Sequence, residues 1–174
     1  MSINGVALAP DYDDELGGEA GGNRLARYLE TLSLVERLHR LLLDVIKDEF
    51  ERIARFELNP VQALLLFNIG PKTMTAGELK NRGCYQGSNV SYNLKRLVET
   101  GFIHHARSEV DRRAVRVCLT EKGMEVHHIV ADLFRRHAED LAHDRGLRAG
   151  GLDALNGDLR GLERYWSEEI RYIY

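Results

Sequence analysis

Residues Cys84 to Gly123 read CYQGSNVSYNLKRLVETGFIHHARSEVDRRAVRVCLTEKG, and the hydrophobic period changes partway along them. From Ser88, the residues Val90, Leu94, Leu97 and Val98 recur at helical spacing until Gly101, a residue type that readily takes the left-handed conformation ending helices. This predicts a helix of about three and a half turns. Its other face carries Asn89, Ser91, Tyr92, Asn93, Lys95 and Arg96, whereas a merely solvated face would favour Glu and Lys. After Gly101 the pattern alternates: Ile103, Val115, Val117 and Leu119 point one way and His104, Arg116 and Cys118 the other, which predicts two strands. The tip between them, Arg107 to Arg113, holds three arginines.

Two helices are expected before this stretch. In Asn59-Pro60-Val61-Gln62, Asn caps, Pro sits where its missing N–H costs nothing, and Gln can fold back on the cap, so a helix should run from Pro60 to about Ile69. Its Ala63, Leu64, Leu65, Leu66 and Phe67 leave little polar face, which marks it as a buried centre. Thr75-Ala76-Gly77-Glu78 is a second capping box, opening a short helix that Gly83 ends. A helix, a tight turn and a polar second helix form a helix-turn-helix, and a basic β-tip beside it has the shape of a winged helix on duplex DNA. The contact candidates are Gln86, Ser88, Asn89, Ser91, Tyr92, Asn93, Lys95 and Arg96 on the helix, and Arg107, Asp111, Arg112 and Arg113 on the tip. Asn89 and Asn93 could read adenine, and Arg96 guanine or phosphate; about half of such side chains would be expected to touch only backbone or water. Lys72, Lys80, Arg82 and Lys95 are phosphate candidates.

Residues 1–22 are rich in Gly, Asp and Glu without a sustained period, and are expected to form a flexible arm, or one whose Val6, Ala7 and Leu8 reach a partner subunit. From Asn23, expected as a cap, Leu25, Leu29, Leu32, Val35, Leu38, Leu42, Val45, Ile46, Phe50 and Ile53 predict a helix within 23–56, too long for a small core alone. Thr120 should cap a helix carrying Met124, Val126, Ile129, Val130, Leu133, Phe134, His137 and Leu141 to about His143. Beyond Gly146, Gly150 and Gly151, the residues Leu152, Leu155, Leu159, Leu162, Trp166, Glu169 and Ile173 recur in steps of three and four, a seam with one polar position. Such narrow stripes at 124–174 cannot bury themselves on a small lobe and are expected to intertwine with the first helix and a second copy. The expected fold is mainly α with a small β-hairpin wing: a winged helix-turn-helix lobe, 57–123, and a helical dimerisation lobe.

The whole chain has 174 residues and a net charge of −3, yet Pro71 to Gly123 holds ten Lys/Arg against five Asp/Glu. A basic middle with acidic flanks gives one face attractive to phosphate and discourages binding through the others. The longest apolar run, Ala63 to Phe67, is far too short for a bilayer span, and no basic-then-apolar leader opens the chain, so a cytoplasmic location is expected. Cys84 and Cys118 form neither a disulfide framework nor a zinc-finger pattern.

Leu97 to Gly123 resembles the signature of the MarR family of bacterial transcription regulators, in which the leucine-rich end of a recognition helix leads through a wing to Asp-x-Arg and a Leu-Thr-x-x-Gly helix start. Here those positions are Asp111, Arg113, Leu119, Thr120 and Gly123. The likeness in order and length of elements extends over Asn23 to Tyr174, and GSNVSYNLKRLVE together with chain length is similar to the LdtR-like branch. The resemblance implies a homodimeric regulator, a repressor by default, with recognition helices in successive major grooves of a pseudo-palindromic operator. It implies that Asp111 pairs with Arg113 and presents it to the minor groove. It also implies release by a small aromatic or amphipathic effector bound among the first, second and fifth helices, where His39, Arg40 and His137 are the candidate residues. No cofactor is expected.

Three other readings compete. A redox sensor would use Cys84 or Cys118, but the long first helix contains no cysteine, so small buried cysteines are the expected reading. A metal sensor could use His128 with Asp132 at i, i+4, but no third ligand recurs at a convincing spacing, so no metal site is expected. A protein-binding dimeric adaptor would have little use for an intact basic wing. Catalysis is not expected, since GxSxG, Walker and HExxH patterns are absent.

Overall fold

The computed structural model describes residues 19–75, 78, 87–107, 115–143 and 151–173. Five helices and three strands lie among them: α1 (Glu19–Arg52), α2 (Pro60–Ile69), β1 (Met74–Thr75), α3 (Gly87–Glu99), β2 (Ile103–Arg107), β3 (Val115–Leu119), α4 (Glu121–His143) and α5 (Gly151–Ile173). Of the arm expected at residues 1–22, residues 1–18 lie outside the described residues, as does the helix after Glu78, while residues 19–22 belong to α1. The chain divides into two compact units, Met1–Leu65 and Leu66–Tyr174, with the boundary inside α2.

In the first unit, α1 is 34 residues long and begins at Glu19, so Asn23 lies inside the helix rather than capping it. Glu19 and Ala20 are good helix formers, and they extend the helix past the two glycines that precede Asn23. Most of the described side chains before Ile46 stay exposed, including Leu34, Leu38 and Leu41, whereas Ile46 and Phe50 near its end are buried. Glu49, also buried, accepts two hydrogen bonds from the Arg52 guanidinium at 2.8 and 2.9 Å. These bonds and the carboxylate's charge push the arginine's proton affinity above its already high ordinary value. α1 closes with crossed hydrogen bonds, Arg55 N–H to the Phe50 carbonyl at 2.8 Å and Ala54 N–H to that of Glu51 at 3.0 Å. This Schellman motif places Ala54 at φ 55°, where glycine is the usual occupant. α2 then opens as its sequence predicts: Gln62 N–H donates to Asn59 Oδ1 at 2.8 Å, and Asn59 N–H donates to Gln62 Oε1 at 3.2 Å. A cleft of about 250 Å³ lies between these two helix ends, lined by Ile46, Phe50, Phe56 and Pro60 with Lys47, Glu51 and Arg55 among its polar residues.

In the second unit the strands form an antiparallel sheet of order β1-β3-β2, so the hairpin gains a third strand that its sequence did not announce. β1 is two residues long, too short to show an alternating pattern, and it pairs Met74 with Val117 and Thr75 with Arg116. β2 pairs with β3 from Ile103↔Leu119 to Arg107↔Val115. Met74, Ile103 and Val117 are buried while His104 and Arg116 are exposed, the side assignment expected from alternation. Leu66, Ile69, Leu97, Phe102, Val126, Val130 and Leu133 complete the buried set. His127 of α4 stacks on Phe67 at 5.5 Å between centroids, with its Nδ1 3.2 Å from the Phe67 carbonyl at the end of α2. A carbonyl can only accept, so the proton of this bond sits on Nδ1. α5 is exposed along nearly all its length, with Leu152, Leu155 and Leu159 at 42%, 43% and 40% exposure in the single chain.

Candidate nucleic-acid interface

The face that α3 offers to a ligand is set by how the helix ends. Phe102 N–H reaches back to the Leu97 carbonyl at 2.9 Å and Gly101 N–H to that of Val98 at 3.0 Å, with Gly101 at φ 76°. In this cap the residue after the glycine packs on the helix's last turn, and Leu97 and Phe102 are both fully buried. The rotation of α3 about its axis is therefore fixed by an apolar clasp. Ser91, Tyr92, Lys95 and Arg96 lie exposed, Tyr92 at 70%. Asn93 does not join them: at 8% exposure it lies on the buried side with Leu97, four residues on. The helical period explains this departure, because positions 93 and 97 share a face, and an adenine contact by Asn93 has no support from its placement. Arg96 Nη1 lies 3.6 Å from Glu99 Oε2.

The same clasp anchors the wing. Thr120 N–H donates to the Phe102 carbonyl at 3.1 Å, and its hydroxyl donates to the Gly101 carbonyl at 2.8 Å. That hydroxyl also accepts from Gly123 N–H at 3.1 Å, which caps α4. A Cβ on Gly123 would lie 2.2 Å from the Phe102 oxygen. The glycine of the Leu-Thr-x-x-Gly run is thus required by backbone approach, and Lys122 lies over the Phe102 ring with its Nζ 4.0 Å from the ring centroid.

Of the remaining candidates, Ser88 and Asn89 fall within α3 and Arg107 ends β2, but their side chains lie outside the described residues. Gln86, Asp111, Arg112 and Arg113 lie outside them altogether, as do Lys80, Arg82 and Cys84. Lys72 is exposed. His39 and Arg40 are exposed on α1 and His137 is half-buried on α4. The cleft in the first unit includes neither His39 nor Arg40. Cys118 is a half-exposed free thiol opposite His104 on the outer side of the sheet. Asp132 pairs with Arg135 at 2.6 Å rather than turning to His128. Among the described residues no cluster of three or more His, Cys, Asp or Glu could hold a metal ion, and no helix is long and apolar enough to cross a membrane. Sequence reasoning passed over Glu99, although its spacing of three from Arg96 and four from Lys95 was legible as a shared helix face.

The sequence pattern of the winged helix DNA-binding domain matches residues 58–123. The exopolysaccharide II synthesis transcriptional activator ExpG of Rhizobium meliloti (strain 1021) is 30% identical over 161 residues, covering 92% of this chain and 82% of that protein. Among solved structures, the transcriptional regulator SlyA superposes with a TM-score of 0.67 at 21% identity over 83% of this chain and 99% of that one. A putative MarR family regulator from Listeria monocytogenes, complexed with a 26mer DNA, also gives 0.67, at 16% identity over 82% of this chain and 92% of its own.

Proposed function

Given that this chain belongs to the MarR family of winged helix-turn-helix transcription regulators and binds DNA as such a regulator, we propose that it does so as a homodimer on a pseudo-palindromic operator. Its relatives are transcription regulators and not enzymes. The observation that carries the reading is the face of α3, where Ser91, Tyr92, Lys95 and Arg96 stand exposed on a helix whose rotation is fixed by its own cap. These four, with Gln86, Ser88 and Asn89, contact the major groove; Arg107, Arg112 and Arg113 of the wing contact the minor groove or its phosphates, and Asp111 supports Arg113. The leucines exposed on α1 and α5 support pairing with a second copy, which would set two recognition helices about 10 base pairs apart. Such a regulator acts in the cytoplasm, beside the DNA.

Repression follows from occupancy of a promoter by a compact dimer, and a small aromatic or amphipathic effector that prefers the unbound state releases it. Activation is the second reading, favoured by the name of the Rhizobium meliloti relative. The test is electrophoretic mobility with the duplex upstream of the protein's own gene. Retardation of that duplex, but not of a shuffled one of equal composition, is expected, and Arg113→Ala should weaken it without changing oligomeric state. Equal retardation of both duplexes would overturn the reading. Transcription from the same duplex, with and without protein, separates repression from activation.

A further inference from the structure

Glu99 is out of place by two electrostatic criteria. As the last residue of α3 it sits at the negative end of the helix dipole, where a carboxylate is disfavoured. It also shares the exposed face with Lys95 and Arg96, four and three residues before it, which is the face turned toward a polyanion. Its partner accounts for both: Glu99 Oε2 lies 3.6 Å from Arg96 Nη1, and both side chains are about half exposed. The geometry of the pair is set in advance. Thr100 donates from its hydroxyl at 2.7 Å and its N–H at 3.0 Å to the Arg96 carbonyl, and the Gly101 cap on buried Leu97 and Phe102 holds the last turn.

We propose that Glu99 is a specificity-determining positioning residue, which through its ion pair turns Arg96 from a phosphate-seeking cation into a charge-compensated, base-reading fork. The inference rests on α3 being the DNA-contacting helix. An unpaired guanidinium is drawn to every phosphate, whatever the sequence. Paired, Arg96 and Glu99 carry no net charge, so the pair has little attraction for phosphate and the carboxylate is repelled by it. Base edges are neutral and exert no such repulsion. The guanidinium has five N–H donors in a planar fork, and those not spent on Glu99 remain for guanine O6 and N7, while the carboxylate can accept from cytosine N4. The pair thus subtracts more from binding to arbitrary duplex than from binding to a matched site.

The test compares wild type, Glu99→Gln, Arg96→Gln and the double variant by fluorescence anisotropy. Each is titrated, over a series of salt concentrations, against a random-sequence duplex and a duplex that wild type selects from a randomised pool. Glu99→Gln should tighten binding to the random duplex about 2- to 5-fold per recognition helix, the range expected for an exposed ion pair. It should also steepen the log–log salt slope for that duplex by about 0.9 per protomer, one more phosphate engaged. Affinity for the selected duplex should rise by less, so that discrimination falls. In the Arg96→Gln background the Glu99→Gln effect on the random duplex should vanish. If that effect survives there undiminished, Glu99 acts as a general charge and the proposal is overturned, as it is by an unchanged salt slope. A wild type that selects no duplex at all overturns the underlying DNA reading as well.

Discussion

At Ala54 and Gly123 the backbone geometry alone sets what a substitution costs. Ala54 occupies a left-handed position at φ 55° that costs an L-residue roughly 1–2 kcal/mol, partly offset because glycine is looser when unfolded. Ala54→Gly should therefore raise stability by up to about 1 kcal/mol, read as a higher urea midpoint at unchanged m-value. Gly123 is the opposite case. With the Phe102 oxygen 2.2 Å from a would-be Cβ, Gly123→Ala must push apart the start of α4 and the turn that follows α3. A loss of about 1–3 kcal/mol is expected by the same urea titration, and no loss would mean the approach relaxes freely. The sequence made Gly123 visible as a letter of a motif but not as a steric necessity, because the atom it makes room for belongs to a residue 21 positions earlier. Asn93 was misassigned for a related reason. Polarity placed it with its exposed neighbours, whereas the period shared with Leu97 placed it inside.

Elements were more legible than single side chains wherever local chemistry decides them. The capping box at Asn59 and Gln62, the glycine stop at Gly101 and the alternation through Ile103 and Val117 each act within a few residues, and each stands in the structure as its letters imply. β1 was not legible, since two residues pair with β3 for tertiary rather than local reasons. The start of α1 was missed because Asn23 is a good cap in a sequence where Glu19 and Ala20 continue the helix equally well. The joint between α3, the wing and α4 is the element whose failure should be most visible. Thr120→Val keeps the volume but removes both the bond to Gly101 and the cap on Gly123, and should cost about 1–2 kcal/mol. DNA affinity should fall further than that loss explains at temperatures where the fold persists, because the wing base and the end of α3 lose their common anchor. Affinity matching wild type, measured well below the unfolding midpoint, would show the joint to be structural only.

At the scale of the whole molecule, the proposed homodimer with its two recognition helices requires a pairing surface, and α5 has the pattern for one. Leu155→Asp with Leu159→Asp should yield a monomer by sedimentation equilibrium, with helix content by circular dichroism close to wild type. Binding to the upstream duplex should then fall by at least tenfold, since one half-site is held instead of two. A double variant that stays dimeric would move the pairing surface to α1, where Leu34, Leu38 and Leu41 are similarly exposed. The tip at Arg107 to Arg113 and the arm at residues 1–22 were expected from composition and resemblance, which say what such segments can bind and not how they are held.

The leucines of α5 have a consequence for abundance as well as for assembly. A chain that leaves such a stripe wet while alone offers chaperones and proteases a handle that the proposed pairing would hide. Copies diluted below their pairing constant would be cleared rather than stored, so the cellular level of this regulator should drop in a threshold-like way as its synthesis slows.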